Sequence, residues 1–191
     1  MAGHSRATHS RERPAGEAPP GDPEQDLGDP EAVARAICLR LLAQRARSRA
    51  ELAEALSKRG VPSEPATRVL DRFVEVGLID DAALAANVAG TQHFERGLAR
   101  RAVAAKLRRR GLDDQVQTAL TAIDTDSERA RARELVERRR RALTALPPDV
   151  QARRLVGLLA RKGYSPGLSY AVVRELLADS EGWDADDALI T

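Results

Sequence analysis

A chain of 191 residues with 31% charged and 3% aromatic side chains and a net charge of +2 is poor in the β-branched and aromatic runs that a sandwich or barrel needs. Its single cysteine, Cys38, excludes an intrachain disulfide. No apolar stretch approaches the roughly 18 residues of a membrane span and no secretory h-region opens the chain, so an all-α cytoplasmic protein with no membrane partner is expected.

Residues 1–30 hold five of the ten prolines, four glycines, six acids and three arginines. Such a composition cannot bury enough apolar surface to offset ordering entropy, and a disordered tail is expected there. Residues 179–191 hold five acids and no base, an acidic C-terminal tail. Between them, residues 31–178 keep 28 Lys and Arg against 18 Asp and Glu. The middle is a basic body between acidic ends.

Apolar residues in that body recur at helical spacing, and helix-ending residues fall between the runs. The first helix is predicted from about Glu31 to Arg45. Ser48 and Glu51 form a capping box for a second, which carries Leu52 and Leu56 inward and stops at Gly60. Ser63 is expected to cap a third, with Val69, Leu70 and Phe73, closing at Gly77. Asp80 or Asp81 caps a fourth that runs through Leu84 and Val88 to about Glu95. Gly97 separates it from a fifth ending at Gly111, and Asp113 caps a short sixth. Asp126 or Ser127 opens a long seventh helix up to Ala145. Pro147 and Pro148 break it and begin an eighth, which ends at Gly163. Ser165 and Pro166 open the ninth, to about Ala178.

Three of these helices end alike: "LSKRGV" from Leu56, "LRRRGL" from Leu107 and "LARKGY" from Leu159. With Gly60, Gly111 and Gly163 aligned, Leu52, Val103 and Leu155 lie eight residues before. Leu56, Leu107 and Leu159 lie four before, and Val69, Leu120 and Val172 nine after. Inward positions repeat, so the unit is a three-helix bundle with a helix-turn-helix-like core, present three times. The expected layout is an elongated tandem array of about nine helices: bundles at 31–79, 80–124 and 125–178 between tails at 1–30 and 179–191.

Catalytic chemistry has little to work with. His4 and His9 lie in the tail, which leaves His93 as the only histidine of the folded part, read as a surface or interhelix residue rather than an acid–base catalyst. Asp80 with Asp81, and Asp113 with Asp114, stand where helix caps belong. No metal-ligand cluster or phosphate loop occurs, and no cofactor is expected.

Basic residues are the remaining signal. Cations in a last helical turn suit the helix dipole, at about 0.3 to 1 kcal/mol each, which accounts for part of Lys58, Arg59, Arg161 and Lys162. On the fifth helix Arg101, Arg108 and Arg109 point away from Val103 and Leu107, while Arg110 lies nearer the core side. Arg138, Arg139, Arg140 and Arg141 are consecutive and encircle the seventh helix. Glu134 and Glu137 one turn back, nucleic acid or an acidic partner would each relieve their repulsion.

Major-groove readout is disfavoured, because the second helix of each pair should carry the base-reading donors. The sixth helix, "DDQVQTAL", has no basic residue and the ninth has only Arg174. Scattered aromatics also disfavour base stacking.

The succession "LSKRGV", "GLIDDAALA", "RGLARRAVAAKLRRRGL" and "LARKGYSPGLSYAVV", over about Ala34 to Leu177, resembles the RecX family, bacterial regulators of the RecA recombinase. Gly77 to Gly111 is the most specific piece. The resemblance implies tandem three-helix repeats and a modulator rather than an enzyme. It implies binding along the groove of RecA filaments on single-stranded DNA, which lowers ATP hydrolysis, filament growth and strand exchange.

The family pattern falls on Gly60, Gly77, Leu78, Asp80, Asp81, Gly97, Arg101, Leu107, Arg110 and Gly111. Most of these, with Leu56, Leu159 and Gly163, are read as structural. The contacts are assigned to the basic residues named above, with weak direct DNA binding and a monomeric chain. Leu84 departs from the family, which often has an aromatic there. The alternative is a general nucleic-acid-binding helical repeat protein with no recombinase partner.

Overall fold

In the computed structural model, residues 29–178 are described, and the two tail assignments lie outside them. The described residues form nine α-helices and no strand: α1 (Pro30–Leu42), α2 (Arg49–Ser57), α3 (Ser63–Glu75), α4 (Asp81–Gly90), α5 (Arg100–Arg108), α6 (Val116–Ala119), α7 (Thr125–Arg140), α8 (Pro148–Arg161) and α9 (Pro166–Ala178). A π-helical turn, Thr91–Glu95, continues α4, and a 3₁₀ turn, Asp113–Gln115, precedes α6.

Three separate apolar cores follow the repeat. Leu52, Leu56 and Val69 centre the first, Val103, Leu107 and Leu120 the second, and Leu155, Leu159 and Val172 the third, each side chain at most 3% exposed. All nine positions read as inward are buried. A bundle of about 50 residues is near the lower size limit for an independent core, so contact with its neighbour matters.

The shared helix endings have one cause. Gly60, Gly111 and Gly163 take φ of +74°, +67° and +91°, a conformation that costs an L side chain about 1–2 kcal/mol. The turn lets the next residue's N–H reach back five residues: Val61 to the Leu56 carbonyl, Leu112 to Leu107 and Tyr164 to Leu159, at 3.2, 3.2 and 3.1 Å. Those three following side chains enter the cores. A leucine, a left-handed glycine and an apolar residue are thus one C-terminal stop used three times.

Several predicted helix ends shift. α1 stops at Leu42 and α7 at Arg140, both short of the expected ends. Ser63 is the first helical residue and makes no cap bond. Asp113 begins a 3₁₀ turn without a side-chain cap. α7 is capped by Asp124, which accepts from the Ser127 N–H at 2.7 Å, rather than by Asp126 or Ser127. The capping box at Ser48 and Glu51 forms as expected, and Asp80 caps α4 through the Ala83 N–H at 2.8 Å.

Two residues sit differently in a more consequential way. Leu78, read as structural, is 48% exposed, because Ile79 fills the core after the Gly77 turn. His93 is fully buried in the π turn, with Nδ1 2.8 Å from the Leu98 carbonyl. That turn is invisible to a 3.6-residue period, so the sequence reads α4 straight through it.

Candidate partner interface

The three bundles are joined through their middle helices, and the joint is built twice. At the first, the C-terminal end of α5 meets the N-terminus of α2. Ser48 Oγ donates to the Arg110 carbonyl at 2.5 Å, and the Arg110 guanidinium donates to both Glu51 oxygens at 2.9 and 2.8 Å and to the Ala46 carbonyl at 3.2 Å. The Arg49 N–H, free at the helix start, donates to Asp81 of α4 at 3.0 Å. Gly111 lies directly on Ala50.

At the second, the end of α8 meets the N-terminus of α5. The Ala99 N–H donates to the Lys162 carbonyl at 3.0 Å, and Lys162 Nζ donates to the Arg96 carbonyl at 2.5 Å. The Arg100 N–H donates to Glu128 of α7 at 2.8 Å, and Gly163 lies on Ala102. Tyr164 Oη reaches the Gly97 carbonyl at 3.2 Å. In each joint the negative end of one helix dipole faces the positive end of the next.

The two acids "DD" of "GLIDD" therefore divide their work. Asp80 caps its own helix, and Asp81 satisfies the orphan N–H of α2 in the preceding bundle.

Two side chains of the joints titrate away from their ordinary range. Burial acts to raise Glu51, but the bond from Arg110, the Ser48 N–H and the charges of Arg110 and Arg45 outweigh it and hold the carboxyl below the usual value. Burial first, then the charge of Glu128, pushes the Tyr164 phenol up to about 12. Cys38 is likewise raised by burial, as an inert core thiol is.

The joints sort the basic residues expected to bind a partner. Arg110 and Lys162 are joint-builders, and Arg140 donates to the Leu176 carbonyl at 2.6 Å across its own bundle. These three serve the fold rather than the free surface. Arg101 is exposed but donates to the Gly163 carbonyl, so it is shared between surface and joint. Arg108, Arg109, Arg139, Arg141 and Arg161 are exposed, and among the described residues none of their side chains has a hydrogen-bond or ion-pair partner. Arg138 approaches Glu134 only at 3.9 Å. Lys58 pairs with Glu54 at 2.5 Å, and Arg59 folds onto the Ala55 carbonyl of its own helix.

Two open clefts flank the second joint. One, of about 410 Å³, is lined by Arg100, Arg101, Arg108 and Glu128 and by Gly163 and Ser165 between α8 and α9. The other, of about 370 Å³, gathers Arg96, Arg131, Arg138, Arg139 and Lys162. Charges read separately in the sequence, on the fifth, seventh and eighth helices, are thus collected around one joint. Lys58 and Arg59 lie apart in the first bundle. Arg96 and Arg131 were not singled out by the sequence pattern; they reach the cleft only through the π turn and the packing of α7.

Among the described residues no group of His, Cys, Asp and Glu could hold a metal ion, and no helix is long and apolar enough to cross a membrane.

Tandem three-helix bundles joined through their middle helices, with basic clefts beside one joint, define a helical-repeat protein. The models of the first and third three-helix domains of RecX match residues 34–73 and 126–173. The chain is 51% identical over 156 residues to the regulatory protein RecX of Thermobifida fusca, covering 81% of this chain and 84% of that one. It is 48% identical over 181 residues to that of Streptomyces coelicolor, covering 94% and 92%. The crystal structure of RecX from Lactobacillus salivarius shares the fold, with a TM-score of 0.70 at 17% identity over 80% of this chain and 99% of that one. The chain belongs to the RecX family of regulatory proteins, which are not enzymes.

Proposed function

We propose that this protein binds the filament that a RecA-type recombinase forms on single-stranded DNA, lies along its groove, and lowers ATP hydrolysis, filament growth and strand exchange. The observation that carries this reading is the set of exposed arginines without internal partners around the second joint, in a chain of the RecX family. The side chains of Arg108 and Arg139 have no partner among the described residues that would use their charge, so their use is external. Modules in series favour a periodic target, since each added contact is intramolecular once the first has formed.

Co-sedimentation tests it. The protein should pellet with recombinase filaments on single-stranded DNA and bind the same bare DNA weakly. Equal affinity for bare DNA, with a steep salt dependence, would favour a general nucleic-acid-binding repeat protein instead.

A further inference from the structure

The joint between bundles has three recurring parts. A glycine with no side chain lies on an alanine in the first turn of the receiving helix: Gly111 on Ala50, Gly163 on Ala102. The carbonyl of the residue before that glycine accepts from the receiving helix's N-cap residue, from Ser48 Oγ or from the Ala99 N–H. The basic side chain of the same residue reaches a carbonyl two or three positions before that N-cap, Arg110 to Ala46 and Lys162 to Arg96.

The C-terminal end of α2 has the same three parts and, among the described residues, nothing on them. Gly60 has the same left-handed backbone, and a Cβ built on it meets no atom within 4 Å, whereas at Gly111 and Gly163 it would lie 2.3 and 2.7 Å from an alanine Cβ. Arg59 is exposed, with its guanidinium turned back on its own helix.

We propose that the end of α2, at Arg59 and Gly60, is an open copy of the joint, and that it receives the N-terminus of a helix on the recombinase, one with a small residue in its first turn. Arg59 supplies the positive side chain for a carboxylate or open carbonyl there, as Arg110 does for Glu51 and Ala46. This rests on the proposed binding to the filament. The middle helices of a second copy, which receive the joint within the chain, do not offer the matching end. The N-termini of α2 and α5 are already filled, and α8 begins with Pro147 and Pro148, of which neither has an N–H to donate.

The test is co-sedimentation of the full chain with cognate recombinase filaments on single-stranded DNA, using Gly60→Asn, Arg59→Glu and the parent. Asparagine tolerates the left-handed backbone and adds bulk where the joint needs none, with no change of charge. Both variants should keep the parent's helix content and bind the filament about tenfold or more weakly. Undiminished binding by Gly60→Asn overturns the proposal, whether Arg59→Glu is unchanged or weakened. In the second case Arg59 is a simple cation near phosphate. A concentration-dependent mass of the parent alone that Gly60→Asn abolishes also overturns it, in favour of self-association. A parent that does not pellet with filaments overturns the proposed function and this inference together.

Discussion

Arg110 and Glu51, 59 positions apart in the chain, meet through two hydrogen bonds of 2.9 and 2.8 Å across the border between the first two bundles, with side chains only 19% and 20% exposed. Such a pair holds two small cores in one cooperative unit, because neither core reaches the other directly.

Removing Arg110 leaves the largely buried Glu51 carboxylate with the Ser48 N–H and a more distant Arg45, at 3.6 Å. Arg110→Ala should cost about 1.5 to 3 kcal/mol and separate the melting of the first bundle from the rest, as read by urea titration.

The same pair sets an acid limit. The Glu51 carboxyl lies below its ordinary value of 4.5 in the folded chain, so its contribution is complete above that pH and is lost as pH falls through the lowered folded value. Urea midpoints below pH 4.5 should drop in the parent, and Arg110→Ala should show a smaller drop because the shift depends on its guanidinium.

Gly60 and Gly111 share a backbone conformation but not a neighbour, so Gly→Ala at the two sites isolates the joint. Each should lose about 1 kcal/mol for the left-handed backbone. Gly111→Ala should lose a further 1 to 3 kcal/mol, roughly, for the clash with Ala50. Equal losses in denaturant titrations would contradict the joint as described.

Tyr164 ties the third bundle to the Gly97 carbonyl. Its folded phenol titrates near 12, so the associated stability is intact below the ordinary tyrosine value of 10.0 and is lost as pH rises toward 12. Tyr164→Phe should cost about 1 kcal/mol at neutral pH and lack the alkaline loss, as measured by thermal melts at rising pH.

The nine inward positions and the three glycine stops were legible because helical spacing and left-handed turns leave direct marks on a sequence. So was the outward placement of Arg108 and Arg109. What escaped was set between bundles. Helical spacing turned Arg110 nearer the core side than Arg109, but nothing local named Glu51 of the preceding bundle as its partner. "GLIDD" concealed that Leu78 is exposed and that Asp81 serves the preceding bundle. The π turn at His93 breaks helical period, and Gly90 just before it keeps helical dihedrals and gives no sign of the break, so the meeting of Arg96 with Arg138 and Arg139 could not be read in advance.

The central claim is that the free arginines beside the second joint engage a recombinase filament. The most direct measurement is DNA-dependent ATP hydrolysis by the cognate recombinase, titrated with the parent and with an Arg108→Ala, Arg139→Ala double variant that melts like the parent. The parent should suppress hydrolysis at substoichiometric ratios and the double variant should need about tenfold or more protein for the same effect. Full hydrolysis at saturating parent protein, or equal potency of the double variant, would contradict it.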